Sequence, residues 1–280
     1  MRLINNVQTQ ILLAVARYKY LTVSQLMKIY VGTGNIPYLR KQLKALIDSK
    51  KPLIECSVFA NFVPKKGRLE NVYFLSKYGK RLLMEDLYME EETIKIPIGK
   101  TTFTKDYFHR KNTIDFQIAL YQWSEKSKFE VLFFDTYFDK TGNNRTDKNL
   151  RAKTKIDLPD NNYLIPDANF LLNTAEGYKL FLFEMYNGKD TKRVLDQLRK
   201  HAQCIELGSP SEKYNLEIGH GVVALFEFES IEKAVIDRLK NQSYYEDVKD
   251  YFLFKNLNNL AVDTFFRDWK NVKGELISFY

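Results

Sequence analysis

Two acidic residues stand inside apolar, strand-like segments of this 280-residue chain, and any fold must give both of them partners. Asp167 lies in YLIPDANFLL at residues 163–172, and Glu184 lies in KLFLFEMY at residues 179–186. Charged side chains are seldom buried alone, because removing them from water is costly. A divalent cation satisfies two carboxylates at once, so this pair predicts a metal site formed by Asp167 and Glu184.

The two acidic segments are expected to be neighbouring strands. The sequence NTAEG at residues 173–177 separates them and is typical of a hairpin turn. Adjacent strands lie ~4.8 Å apart, so acids at facing positions can share one ion. Mg²⁺ prefers oxygen ligands and usually takes one or two carboxylates, so Mg²⁺ or Mn²⁺ is the expected cofactor. In the alternative, both acids face solvent and only keep a strand edge soluble.

Composition places the chain among folded globular proteins. A hydrophobic fraction of 45% with 14% aromatic residues supports a large core, enough for one large domain or two ordinary ones. No apolar run approaches the ~18 residues of a membrane span, and the N-terminus lacks a signal-peptide core, so a cytoplasmic protein without a membrane partner is expected. Cys56 and Cys204 fit no disulfide framework and are expected to be ordinary thiols.

Positive charge is concentrated at the N-terminal end. Residues 1–86 carry fifteen Lys or Arg and five Asp or Glu, a balance of +10, whereas the whole chain carries +8. The remainder is therefore at −2. A concentrated basic segment favours a polyanionic partner, and a solvated basic surface is the alternative.

Residues 1–88 predict three helices followed by a basic hairpin. Apolar spacing indicates a helix over residues 6–18, Thr22 with Gln25 has capping-box spacing, and Asn35 can cap a third helix. Two strand-like runs, at residues 52–62 and 71–76, flank the basic turn VPKKGRLE. This order is typical of a winged helix-turn-helix. The third helix has an apolar stripe formed by Leu39, Leu43, Leu46 and Ile47.

Basic residues occur at both elements with which a winged helix contacts DNA. The third helix is expected to enter the major groove, and the hairpin tip to contact phosphates. In the alternative, the segment is a small α+β domain that binds a protein. Residues 89–101 are expected to be a linker. The predicted DNA-binding residues are Tyr38, Arg40, Lys41, Lys44, Lys65, Lys66 and Arg68.

Residues 102–280 predict a mixed α/β domain. A long helix over residues 104–126 is followed by a strand at 129–138 and by the two acidic strands. A helix beginning at Asp190 or Thr191, a strand at 221–228 and a helix at 230–242 complete the order αβββαβα.

This order, with these acids, resembles the PD-(D/E)XK nuclease core. Pro166-Asp167 and Glu184 match its first two motif positions, which implies divalent-cation binding and phosphodiester cleavage. Its third position is a lysine, whereas this chain has Tyr186. A tyrosine supplies no ammonium to steady a hydroxide, so a lysine nearby has to substitute or the site is impaired. The lysines considered for this substitution are Lys189, Lys192 and Lys200.

The whole arrangement resembles the replication-relaxation family of plasmid and mobile-element proteins. The resemblance is carried by YFLSKYGKRLL, FHRKNT and most specifically by residues 165–201. It implies binding of duplex DNA at a plasmid origin and nicking of one strand, with copies of the chain or accessory mobilisation proteins as further partners. The residues carried over are Asp167 and Glu184 as metal or catalytic acids, Asn187 and Gly188 as the following turn, Gln197 and Lys200 on the helix lining the site, and His109.

Three function classes remain open at this stage. The first is a metal-dependent nicking enzyme, with Tyr186 as a further candidate catalytic residue. The second is a non-catalytic DNA-binding initiator or regulator with a degenerate nuclease fold, and the third is a protein-interaction module. His109, His201 and His220 are isolated in the sequence, and His201 is expected on a helix surface. No P-loop sequence is present, so ATP-driven action has no support.

Overall fold

The computed structural model describes residues 4–32, 34–59, 62–63, 67–98, 103, 106–142 and 150–279. The chain divides into two compact units, Met1–Ile118 and Ala119–Tyr280, and the division falls within a single long helix. Residues 89–98, which the sequence suggested as part of a linker, therefore belong to the first unit. Over the ranges described, no helix combines the length and the apolar character that crossing a bilayer requires.

The first unit contains four helices and four short strands in its described part, together with the start of a fifth helix. The elements are α1 (Asn6–Tyr18), α2 (Val23–Lys28), α3 (Ile36–Ile47), β1 (Ile54–Ser57), β2 (Phe62–Val63), β3 (Gly67–Arg68), β4 (Val72–Leu75), α4 (Lys77–Asp86) and α5 (Tyr107–Lys126). The β1 and β4 strands pair antiparallel, β2 and β3 form a separate hairpin, and Leu21 bridges Tyr73 of β4.

The helix starts of this unit follow from local side-chain chemistry. Thr22 accepts a hydrogen bond from the Gln25 amide, and the Gln25 side chain accepts one from the Thr22 amide, which confirms the predicted capping box. Asn35 caps α3 by accepting from the Tyr38 amide, as predicted. The Ser76 side chain caps α4 in the same way. The core behind these helices includes Ile11, Leu12, Val15, Leu26, Leu39, Leu43, Leu46 and Leu83.

The second unit is built on a seven-stranded mixed sheet, which confirms the expected mixed α/β class. The sheet strands are β5 (Glu130–Thr136), β10 (Ala168–Thr174), β11 (Gly177–Tyr186), β12 (His220–Phe226), β13 (Phe252–Asn256), β14 (Trp269–Lys270) and β15 (Leu276–Ile277). Their order in the sheet is β15-β14-β13-β12-β11-β10-β5, with β11, β12 and β13 parallel and the other pairs antiparallel.

Helices and short hairpins surround this sheet. The α6 helix begins after Asp190, whose side chain accepts a hydrogen bond from the Arg193 amide. The β6 and β7 strands pair with each other, and so do β8 and β9. These elements are β6 (Lys140–Thr141), β7 (Arg151–Ala152), β8 (Ile156–Asp157), β9 (Tyr163–Leu164), α6 (Thr191–Leu207), α7 (Ser209–Tyr214), α8 (Glu229–Leu239) and α9 (Tyr245–Val248).

The two faces of the sheet bury different side chains. One face carries apolar residues of β12 and β13 packed against α6 and α8, including Val222, Phe254, Leu198 and Val235. The opposite face carries an aromatic cluster in which Phe181 lies 4.9 Å from Phe279 between ring centroids. Side chains alternate along each strand, so Glu184 shares the α6 face with Leu182 rather than the aromatic face.

Several predicted elements differ from those observed. The segment expected as one strand at Leu164–Leu172 is divided into β9 and β10, and residues 165–167 connect them. The strands β13, β14 and β15 and the helices α7 and α9 were absent from the predicted order. The predicted β10–β11 hairpin is confirmed, with Gly177 at a φ of 105° beside its turn.

Candidate functional site

Asp167 and Glu184 occupy facing positions beside the β10–β11 hairpin. The register pairs Ala168 with Phe183, so the next positions outward bring Asp167 opposite Glu184. Asp167 is 8% exposed and Glu184 is 1% exposed. The alternative in which both acids face solvent at a strand edge is therefore wrong.

Glu184 is held by two side chains from α6. The Gln197 Nε2 donates to Glu184 Oε2 at 2.6 Å, and His201 Nε2 lies 2.6 Å from Glu184 Oε1. Gln197 and His201 are four residues apart, so successive turns of α6 present them on one side of the helix. Val194 and Leu198 of the same helix are buried, which fixes this side of α6 against the sheet.

The Asp167 carboxyl lies close enough to Glu184 to affect its ionisation. Burial raises the pKa of Glu184 well above its usual range, and the nearby Asp167 raises it further through its charge and through a hydrogen bond. The Asp167 Oδ2 also accepts a hydrogen bond from the Met185 amide at 2.7 Å. A shared proton compensates the repulsion between two such carboxyls, and a bound cation compensates it equally well.

His201 is a buried member of this cluster rather than a surface residue. Its side chain is 0% exposed, so the expectation that it lies on the helix surface is wrong. Burial lowers the pKa of His201 to about 3, and the charge of nearby His220 lowers it too. Burial likewise lowers the pKa of His220 to about 4. The low pKa of His201 and the raised pKa of Glu184 both favour a neutral acid hydrogen-bonded to a neutral imidazole.

Tyr186 lies two residues beyond Glu184 on the same strand face and is also buried. Its hydroxyl has no hydrogen-bond partner among the residues that the structure describes. Burial raises the pKa of Tyr186 well above its usual range, and the Glu184 carboxyl adds to this rise. The phenol therefore stays neutral, and it supplies a hydrogen-bond donor but no positive charge beside the acids.

The other residues of the predicted site are only partly brought together. Lys200 contacts the β8–β9 hairpin, with its Nζ 3.4 Å from Asn162 Oδ1, and Lys192 is exposed. Asn187 donates to Glu227. Lys189 lies over the Phe228 ring, Gly188 has open space around it, and His109 belongs to the first unit, where its carbonyl accepts from Thr113.

The oxygen atoms of the acid pair are suitable ligands for a divalent cation, but their hydrogen bonds leave little room for one. Two adjacent carboxylates supply oxygen ligands of the kind that Mg²⁺ or Mn²⁺ accepts. Both oxygens of Glu184 already take part in hydrogen bonds, so an ion bound there has to share an oxygen with Gln197 or His201 or displace one of them. Over the described ranges, no group of three or more His, Cys, Asp or Glu is arranged to hold a metal.

The predicted DNA-binding residues of α3 are on its outer side. Tyr38, Arg40, Lys41 and Lys44 are exposed, whereas the apolar stripe beneath them is buried except for the half-buried Ile47. Lys44 forms an exposed ion pair with Asp48 at 3.5 Å. Arg68 is exposed on β3, and Lys65 and Lys66 lie outside the described residues.

Three polar residues of the buried face were missed at the sequence level. His201 falls on the helix stripe of Leu198 and Ala202, and this position was a signal of its burial. His220 gave no such signal, because it opens an apolar strand. The Asn169 Nδ2 donates to Tyr214 Oη at 2.9 Å, and Asn169 follows Asp167 on the same face of β10.

No protein-family model, curated protein or solved structure matches this chain.

Proposed function

We propose that this chain is a plasmid or mobile-element protein of the replication-relaxation type, which binds duplex DNA at an origin and nicks it with a divalent cation. The observation that carries this proposal is that Asp167 and Glu184 are both buried at facing positions of the sheet and that Asp167 raises the pKa of Glu184. Two adjacent buried acids, with a raised pKa on one of them, are typical of a functional site.

The topology of the first unit supports a winged helix. Leu21 lies between α1 and α2, and its bridge to Tyr73 of β4 adds a short third strand to the β1–β4 pair. The order is then helix, short strand, two helices and a hairpin, which is the winged helix-turn-helix order. In this arrangement α3 is the recognition helix, and its exposed Arg40, Lys41 and Lys44 suit phosphate contacts.

The topology of the second unit supports a PD-(D/E)XK-like core. The long elements run in the order α5, β5, β10, β11, α6 and β12, with Asp167 just before β10 and Glu184 inside β11. This matches the expected helix–three strands–helix–strand order. The β12 strand extends the sheet parallel to β11, so Glu184 lies toward the carboxyl ends of two parallel strands.

Each side chain of the site has a role in this proposal. Asp167 and Glu184 would hold Mg²⁺ or Mn²⁺, and the ion would supply Lewis-acid chemistry for phosphodiester cleavage. Asp167 and Glu184 supply oxygen ligands, and Gln197 orients Glu184 by donating to Oε2. The Tyr186 hydroxyl has no partner among the described residues, so in this proposal it serves as a hydrogen-bond donor. Lys200 lies one turn beyond Gln197 and brings a positive charge close to the site.

A non-catalytic DNA-binding initiator or regulator is the second candidate. The observation that favours it is the closure of the acid site: Glu184 is 1% exposed, and Gln197 and His201 occupy its two oxygens. Tyr186 in the place of the motif lysine points the same way. In this candidate the second unit keeps the nuclease-like fold without the reaction.

A nicking assay separates these two candidates. The full chain is incubated with supercoiled plasmid DNA and Mg²⁺ or Mn²⁺, with EDTA as the cation-free reference. Nicking that is abolished by EDTA, by Asp167→Asn and by Glu184→Gln supports the enzyme. The matched control is Asp237→Asn, because Asp237 is an exposed carboxylate on α8. Duplex binding without any nicking under either cation would leave the non-catalytic candidate.

A further inference from the structure

The β8–β9 hairpin is anchored on the sheet beside the acid pair. Its inward side chains Ile156, Leu158 and Leu164 form one buried cluster with Leu182 of β11 and Cys204 of α6. Leu182 is two residues before Glu184, so the hairpin covers the same face of the sheet. The two residues of its turn, 160 and 161, both have a φ of 57°, which gives a tight connection.

Tyr163 is an exposed aromatic residue of this hairpin, and two lysine ammonium groups lie near its ring. Its side chain is 48% exposed although the residue after it is buried. Lys155 Nζ lies 5.0 Å from the Tyr163 ring centroid, and Lys200 Nζ lies 6.0 Å from it. Lys200 is three residues beyond Gln197, the residue that holds Glu184. An exposed ring flanked by cations is the surface on which an unpaired base stacks beside its phosphates.

Lys155 also lines a cleft with a volume of about 490 Å³. Four basic side chains line it, together with three acidic ones, two of which hold lysines in place: Asp135 pairs with Lys153 at 2.7 Å, and Asp157 pairs with Lys155. Lys213 donates to the Lys155 carbonyl at 2.9 Å and so ties this segment to α7. The fourth basic side chain is Arg151, and the third acidic one is Glu212.

We propose that the β8–β9 hairpin and this cleft bind single-stranded nucleic acid, with Tyr163 stacking on a base and Lys155 contacting the backbone. The ligand class rests on the proposed function, in which a DNA strand has to reach the acid pair. An unpaired strand fits better than a duplex, because only unstacked bases offer a free face to an aromatic ring. A strand lying on Tyr163 and Lys200 passes within one helical turn of Gln197.

Stacking is tested with a fluorescein-labelled oligothymidylate of about twelve nucleotides and with the same backbone lacking its bases. Binding of the full chain is measured by anisotropy in EDTA, so no cleavage takes place. Tyr163→Ala is expected to weaken binding of the oligothymidylate at least about fivefold and to leave the abasic strand unaffected. Tyr178→Ala is the control, because Tyr178 is a similarly exposed tyrosine, at 53%, elsewhere in the second unit.

Backbone contact is tested with Lys155→Ala. This variant is expected to bind both the oligothymidylate and the abasic strand more weakly, and to reduce the slope of log affinity against log salt by about 0.7. Equal losses for Tyr163→Ala and Tyr178→Ala, or an equal loss on the abasic strand, would overturn stacking. A parallel loss of duplex affinity in Tyr163→Ala would mean that the surface binds duplex DNA instead. These binding measurements need no cation. Single-strand binding by a chain that does not nick DNA would therefore reject the nuclease activity and leave the single-strand site supported.

Discussion

At the residue scale, the central feature is Glu184, a carboxyl group whose pKa is raised by burial and by its neighbour Asp167. Gln197 stabilises the ionised form, whereas burial and Asp167 oppose it. Because these effects oppose each other, the ionisation of Glu184 is sensitive to any positive charge that enters the site. Gln197 donates to this buried carboxyl, so its removal should affect both stability and cleavage.

We expect Gln197→Ala to destabilise the second unit by about 1–3 kcal/mol, because Glu184 Oε2 then loses its donor in a buried site. The matched control is Gln203→Ala, an exposed position on the same helix, where a change within about 0.5 kcal/mol is expected. Denaturant unfolding of both variants gives the comparison. Equal stabilities of the two variants would show that the hydrogen bond from Gln197 contributes nothing.

The lowered pKa of His220 predicts how the free energy of unfolding changes at acidic pH. Its pKa is lowered from 6.5 to about 4 by burial, so between these values the unfolded chain holds a proton that the folded chain lacks. Stability therefore rises with pH through this window, by up to about 1.4 kcal/mol per pH unit from this residue, and is lost as pH falls. His201, with its pKa at about 3, acts in the same direction.

We expect His220→Gln to lower this slope by the contribution of about one proton, or up to about 1.4 kcal/mol per pH unit, because glutamine does not titrate. Urea unfolding at intervals between about pH 4.5 and 6.5 measures the slope across the window in which the two states differ in protonation. Stability at about pH 8, where the imidazole is neutral in both states, gives the packing cost of the substitution separately. An unchanged slope would mean that His220 titrates alike in both states.

The acid pair and its partners were predictable to different depths. The apolar surroundings of Asp167 and Glu184 were sufficient to predict a partnership between them, because isolated buried charges are costly. The 2.6 Å distances from Glu184 to Gln197 and His201 were not, because they depend on how closely α6 packs on the sheet. Sequence spacing sets which side of a helix a residue occupies but not its distance to a neighbouring strand.

At the element scale, helix starts were predicted well because they depend on a few adjacent residues. Thr22, Asn35 and Asp190 all cap helices through their own side chains. The strands β13, β14 and β15 were missed because they are short and pair only with distant parts of the chain or with one another. Short strands of this kind leave little local pattern.

The α3 helix carries the prediction on duplex binding. Replacing Arg40, Lys41 and Lys44 by alanine in the full chain should weaken duplex affinity and reduce the salt slope by about 0.9 for each phosphate that is no longer neutralised. These residues are exposed, so folding should be unaffected.

The control with equal charge change replaces three exposed lysines of the second unit, Lys128, Lys233 and Lys240, by alanine. A salt slope that falls equally in both triple variants would indicate non-specific attraction between the protein and DNA instead of phosphate binding by α3.

At the scale of the whole molecule, charge and chemistry are divided between two parts of the chain. The basic excess lies in residues 1–86, whereas the buried acid pair lies in the second unit. In our proposal, duplex binding and cleavage are therefore separable by mutation. Asp167→Asn and Glu184→Gln should remove nicking and leave duplex affinity within the error of the wild-type value.

The most direct test of the acid site is a titration of the full chain with Mn²⁺, in which free Mn²⁺ is followed by electron paramagnetic resonance. We predict one site that is lost in Asp167→Asn and in Glu184→Gln and retained in Asp237→Asn, because two adjacent carboxylates are needed to hold the ion. Far-ultraviolet circular dichroism confirms that the variants are folded. Unchanged Mn²⁺ binding in both acid-pair variants, or no binding by the wild-type chain, would contradict a cation site at Asp167 and Glu184.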